Sequence, residues 1–180
     1  MQTSGLIVIT AFALALVPSG LGAESVAWGS EVNGLRLGVA FGSDSSKPTL
    51  RVVFENVSSD FEEVLVGHRA GSPIYDSLNF TATALDEKKR VGLHKSVFTP
   101  TAGLVLPFFV LLGAGETHEL EFPLTDIIYA SGTTATLEML VKQGYSVRVQ
   151  FVVDQRTADS ADLSRPWIGL LSTAKILPTH

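Results

Sequence analysis

Apolar and polar residues alternate with a period of two along much of this chain, the mark of strands that bury one face. Leu35, Leu37, Val39 and Phe41 alternate with Arg36, Gly38 and Ala40, directly after Asn33-Gly34, a dipeptide suited to the positive φ angles of a tight turn. Over 49–58, Leu50, Val52 and Phe54 fall on one side and Arg51 and Glu55 on the other. Residues 61–68 form a shorter candidate, closed by Gly71, Ser72 and Pro73. From 78 to 98, Leu78, Phe80, Ala82 and Ala84 alternate up to the charged cluster from Asp86 to Arg90, which predicts a hairpin with its tip in water. The run 103–113 is almost continuously apolar and contains Pro107, so it reads as a buried segment with a bulge or interruption rather than a regular central strand.

The last third carries the clearest pattern. His118, Leu120, Phe122 and Leu124 oppose Glu119 and Glu121, while Tyr145, Val147, Val149, Phe151 and Val153 oppose Ser146, Arg148 and Gln150. Both predict half-buried antiparallel strands. Between them, Leu137, Leu140 and Val141 predict a short helix near 135–143, ended by Gly144, although the same letters also suit an irregular strand. Residues 155–165 are polar and acidic and read as a loop, and 167–177 supply a final strand. Seven to nine short strands with frequent turns and little helix predict an all-β chain folded as an antiparallel β-sandwich.

Composition narrows the function classes. With 180 residues, 46% hydrophobic and 17% charged, the chain is too apolar for disorder and has the length of one domain. Thirteen Lys and Arg against eighteen Asp and Glu give a net charge of -5 without a basic block, so extended nucleic acid lacks the cations it would need. There is no Cys, which excludes disulfides, a thiol nucleophile and thiolate metal sites. Leu6 to Val17 are apolar and uncharged, and Pro18, Gly20, Gly22 and Ala23 follow. That predicts a signal peptide over 1–23, cut after Gly22 or Ala23, and a single β-sandwich domain over 24–180, secreted or periplasmic. The apolar stretch is shorter than the ~20 residues of a membrane span, so no stable membrane insertion is expected after cleavage.

Three separated stretches carry a resemblance. Trp28-Gly29 with Val32-Asn33-Gly34-Leu35, then Gly115-Glu116-Thr117 leading into an alternating strand, and Trp167-Ile168-Gly169-Leu170 with Ser172 together resemble the immunoglobulin-like β-sandwich modules of secreted bacterial proteins. Similar modules are appended to sensor-type membrane metallopeptidases. The resemblance spans most of the chain after residue 23 and implies an immunoglobulin-like sandwich with no catalytic residues and no cofactor. The metal-binding His-Glu-x-x-His helix of those peptidases is absent from this sequence.

Residue by residue, chemistry is sparse. His68, His94, His118 and His180 include no pair three to five positions apart, the spacing that sets two metal ligands on one helix face or loop. A site built on His68, His94 and His118 would have to be assembled by the fold, and a small exported hydrolase or metal-binding protein is the alternative that this would support. No G-x-S-x-G elbow presents a serine nucleophile. Glu62-Glu63 and the pair Glu119 and Glu121 read as solvated carboxylates. Asp154, Asp159 and Asp162 gather in one stretch that matches no calcium-loop spacing, and calcium binding there stays open. Asn56-Val57-Ser58 and Asn79-Phe80-Thr81 fit the glycosylation sequon. Trp28 and Trp167 are either a sugar-stacking platform or two core anchors. The leading expectation is an exported, non-enzymatic binding module whose partner is a protein, reached through loops or an exposed sheet edge. A carbohydrate is the partner the tryptophans would allow, and a protease inhibitor is the third reading, its sign being a rigid protruding loop.

Overall fold

The computed structural model describes residues 25–42, 44, 46–70, 72–95, 106–129, 135–160 and 166–178. The stretch read as a signal peptide, Asp162 and His180 lie outside them. The first strands in chain order are β1 (Ala27–Trp28), β2 (Leu35–Phe41), β3 (Thr49–Asn56), β4 (Glu62–Ala70), β5 (Ser72–Ile74) and β6 (Leu78–Thr83). Next come β7 (Arg90–Lys95), β8 (Leu106–Leu112), β9 (Thr117–Pro123), a 3-10 turn at Leu124–Asp126, and β10 (Ile127–Tyr129). The chain continues with helix α1 (Leu137–Lys142), β11 (Ser146–Val153), helix α2 (Gln155–Ser160) and β12 (Gly169–Ser172).

Local chemistry explains the entries. Asn33 and Gly34 take φ values of 49° and 80°, the pair required by a type I′ turn, and Val32 and Leu35 exchange both backbone hydrogen bonds across them. At α1, the Thr136 hydroxyl accepts the Met139 N–H and Glu138 pairs with Lys142 one turn on. The expected helix near 135–143 is therefore present.

The strands form three antiparallel sheets, ordered β1-β2-β3-β9, β10-β7-β6-β11-β12 and β5-β4-β8. The first two face each other: Phe54 meets Phe151 edge-on at 4.9 Å between ring centres, and Phe80 meets Phe122 at 5.6 Å. With β2-β3-β9 opposite β7-β6-β11-β12, the order follows the A-B-E and C′-C-F-G sheets of an immunoglobulin-like sandwich. The departure is the third sheet, made of segments inserted after β3 and after β7. Its residues Val64, Leu65, Val66 and Leu112 belong to the same buried cluster as the two larger sheets. Tyr75, beside β5, joins them by stacking edge-on to both Phe108 and Phe122.

Several expectations are corrected. The apolar run around Pro107 is a regular seven-residue strand at a sheet edge rather than a buried segment, with Leu106, Phe109 and Leu111 exposed. The irregularity lies in its partner, where the register shifts between Leu65 and Gly67. The Ser72-Pro73 stretch continues as β5, so β4 is longer than 61–68 suggested. The polar stretch after Asp154 begins with a helix, because the Asp154 carboxylate accepts the Thr157 N–H and the Asp154 carbonyl accepts that of Ala158. The strand count rises to twelve among the described residues, the extra ones being two or three residues long.

Candidate functional site

The fold does not bring the three histidines together. His68 stands on β4, His94 on β7 and His118 on β9, one in each sheet. His68 has its own partner, with Nδ1 2.7 Å from an Asp76 carboxylate oxygen. His118 lies opposite Phe54, and its buried Nε2 has no hydrogen-bond partner among the described residues. Burial holds its imidazole below the ordinary value. Among the described residues no group of three or more His, Asp or Glu is placed to hold a metal ion.

The other candidates are engaged in structure. Glu119 grips Arg51 with both carboxylate oxygens, at 2.7 and 2.6 Å, and this hydrogen bond lowers its pKa. Glu121 accepts the Thr49 hydroxyl. Asp154 caps α2 and Asp159 accepts from Gln155, so the two described carboxylates of the Asp154–Asp162 stretch serve the helix. Asn56 is fully buried, which leaves it no access to a glycan, whereas Asn79 is exposed on β6. Instead Asn56 ties three segments: its amide donates to the carbonyls of Asp60 and Leu112, and its oxygen accepts from the Ser58 N–H and hydroxyl.

The two tryptophans do not form a shared platform. Trp167 is 2% exposed and stacks on Phe151 at 5.5 Å, so it offers no face to a sugar. Trp28 is half-buried rather than a core anchor, and Arg36 holds its guanidinium 4.4 Å from the indole ring centre.

What the arrangement does expose is a sheet edge. Among the described residues β8 pairs only with β4. The Trp167 N–H donates to the Glu63 carbonyl, so the Glu63 backbone points away from β8. Its cross-strand neighbour Leu111 must then direct its own N–H and C=O toward the open side, and Phe109 does the same by alternation. The side chains of Phe109 and Leu111 are 45% and 57% exposed. Pro107 falls in the same phase, where its missing N–H breaks no ladder bond. Opposite this phase, Phe108 turns its ring under Arg69, whose guanidinium lies 4.7 Å from the ring centre.

Hydrophobicity alone does not reveal this edge, since a buried strand and an unpaired apolar one share the same letters. Pro107 is the usable signal. No family model matches this chain, and neither a curated protein nor a solved structure is significantly similar to it.

Proposed function

We propose that this is an exported, non-enzymatic binding module that takes an extended segment of a protein partner along the open edge of β8. The observation that carries the reading is the pair Phe109 and Leu111, which combine backbone donors and acceptors that have no partner among the described residues with exposed apolar side chains. An added strand satisfies the backbone groups, and alternate side chains of the partner pack on Phe109 and Leu111. Soluble proteins blunt long apolar edges with charge or proline, and here only Pro107 does so. Export is supported by the apolar stretch Leu6 to Val17 and the breakers after it. N-terminal sequencing of exported material beginning near Ala23 or Glu24 would support it, and intact Met1 in a membrane fraction would refute it.

Panning a library of random linear peptides against the full chain tests the edge. Peptides with alternating apolar residues should be recovered, and they should lose binding to Phe109→Lys and Leu111→Lys variants that melt normally. They should also fail once their own alternate amides are N-methylated. Peptides that bind the lysine variants as well as the parent would overturn the reading.

A further inference from the structure

The outer face of the five-stranded sheet holds a depression of about 110 Å³ lined by Thr81, Thr83, Arg90, Arg148, Gln150 and Lys175. Pairing register builds it from residues far apart in the chain. Thr81 lies between Gly92 of β7 and Arg148 of β11, and Thr83 lies between Arg90 and Ser146. Gln150 sits one step further along β11, opposite Ser172. At Gly92 an added Cβ would meet nothing within 4 Å, so the surface beside Thr81 is open.

The charges here are unlike those of the whole chain. Lys175 is held by the Glu87 carboxylate. The guanidinium groups of Arg90 and Arg148 have no hydrogen bond or ion pair among the described residues, although both act on Glu87 through space, adding to the dominant effect of Lys175 in holding its carboxyl below the usual range. Beyond that through-space effect on Glu87, the two guanidinium groups have no acidic partner among the described residues, in a chain whose net charge is -5. Around them stand two threonine hydroxyls and a carboxamide, all able to donate to oxygen.

We infer that this depression is a binding site for a phosphate dianion. The depression has room for a tetrahedral group with four oxygens. Two arginines without a salt-bridge partner among the described residues balance two negative charges, and guanidinium forks match the oxygen spacing of phosphate. The site is too small and too short of cations for a nucleic-acid strand, so it reads a single group, free or carried on a larger molecule. It is separate from the β8 edge and does not depend on the function proposed for that edge.

Chemical-shift titration of the full chain with inorganic phosphate, and in parallel with glycerol phosphate, chloride and acetate, tests it. Saturable shifts at Thr81, Gly92 and Arg148 are expected with phosphate and not with chloride or acetate. Arg148→Gln should weaken binding by about tenfold or more, the loss of a charge-assisted hydrogen bond. Glu87→Gln should strengthen phosphate binding by freeing Lys175, with no saturable shifts from chloride or acetate. Gly92→Glu, placed where the structure has room, should abolish binding and leave the melting temperature unchanged. Glycerol phosphate binding as tightly as inorganic phosphate identifies a group carried on a larger molecule, and weaker binding identifies the free anion. Shifts shared with chloride, or an Arg148→Gln protein that binds like the parent, would overturn the inference.

Discussion

The indole N–H of Trp167 donates to the Val32 carbonyl at 3.0 Å, joining positions 135 residues apart. The same residue donates its backbone N–H to Glu63 and stacks on Phe151. One residue therefore ties the type I′ turn before β2 and the five-stranded sheet through its side chain, and the third sheet through its backbone.

Replacing it tests that role. Trp167→Ala should destabilise the protein by about 3 to 5 kcal/mol, the cost of deleting a large buried aromatic ring, which is a sizeable part of a typical domain's stability. Trp167→Phe should recover much of the packing and lose only the hydrogen bond to Val32. Urea unfolding of both variants measures the difference. A Trp167→Ala protein that melts normally would show that the ring is dispensable.

Asn56 supports a second prediction. Asn56→Ala removes the side-chain donor to the buried Leu112 carbonyl and the acceptor of the Ser58 N–H, while the Asp60 carbonyl keeps the Ser58 hydroxyl, a cost on the order of 3 kcal/mol. Asn56→Asp should be at least as harmful, because it turns a carboxylate toward two carbonyl oxygens. Thermal denaturation reads both. Parent-like melting of Asn56→Asp would contradict the arrangement described.

The bulged strand makes a third. An ideal Cβ at Gly67 would lie 1.9 Å from the Ile74 carbonyl oxygen, which is backbone and cannot rotate aside. Gly67→Ala should therefore disrupt the β4–β5 pairing and raise hydrogen-exchange rates in β5 while the four-stranded sheet stays protected. Unchanged exchange around Ile74 would count against it.

His118 gives the pH dependence its sign. Its folded pKa lies below the ordinary 6.5, so the unfolded chain binds a proton first as pH falls. Stability is full above about pH 6.5 and declines as pH drops toward the lowered folded value. Glu119 and Asp154 also have lowered pKa values, and their stabilisation is lost on acidification too, but below the ordinary carboxylate values of 4.5 and 3.8. His118→Leu should flatten the dependence that sets in below the ordinary imidazole value of 6.5 and leave the more acidic limb intact. Urea midpoints across that range provide the measurement.

The alternation in β2, β3, β9 and β11 is legible in the sequence because each strand sets one face against a shared core and the other against water. The Asn33-Gly34 turn is legible because few other dipeptides tolerate two positive φ angles. The neighbour of β8 is not, since apolarity records that a residue prefers burial and says nothing of which strand lies beside it. Helix α2 hides for a different reason. It is six residues long and buries Ala158 alone among those with described burial, so no helical period stands out. The phosphate depression depends on register, because Thr81 and Arg148 become neighbours only once β6 and β11 are aligned. Spacing along the chain does show that the histidines cannot share one helix face or one loop, but only the three sheets show where each one goes.

The long-range pairing has a consequence for how fast the protein assembles. Arg51 and Glu119 are 68 residues apart, and Ser146 reaches Thr83 across 63. Loops of that length must close before β9 can join β3 or β11 can join β6, and the entropy of closure is met before any of the contacts form. The β2–β3 and β6–β7 hairpins can form early by themselves, whereas the final sheets should take milliseconds to seconds. During that interval β3 and β6 are open edges, so refolding yield should fall as protein concentration rises even though the finished fold covers both.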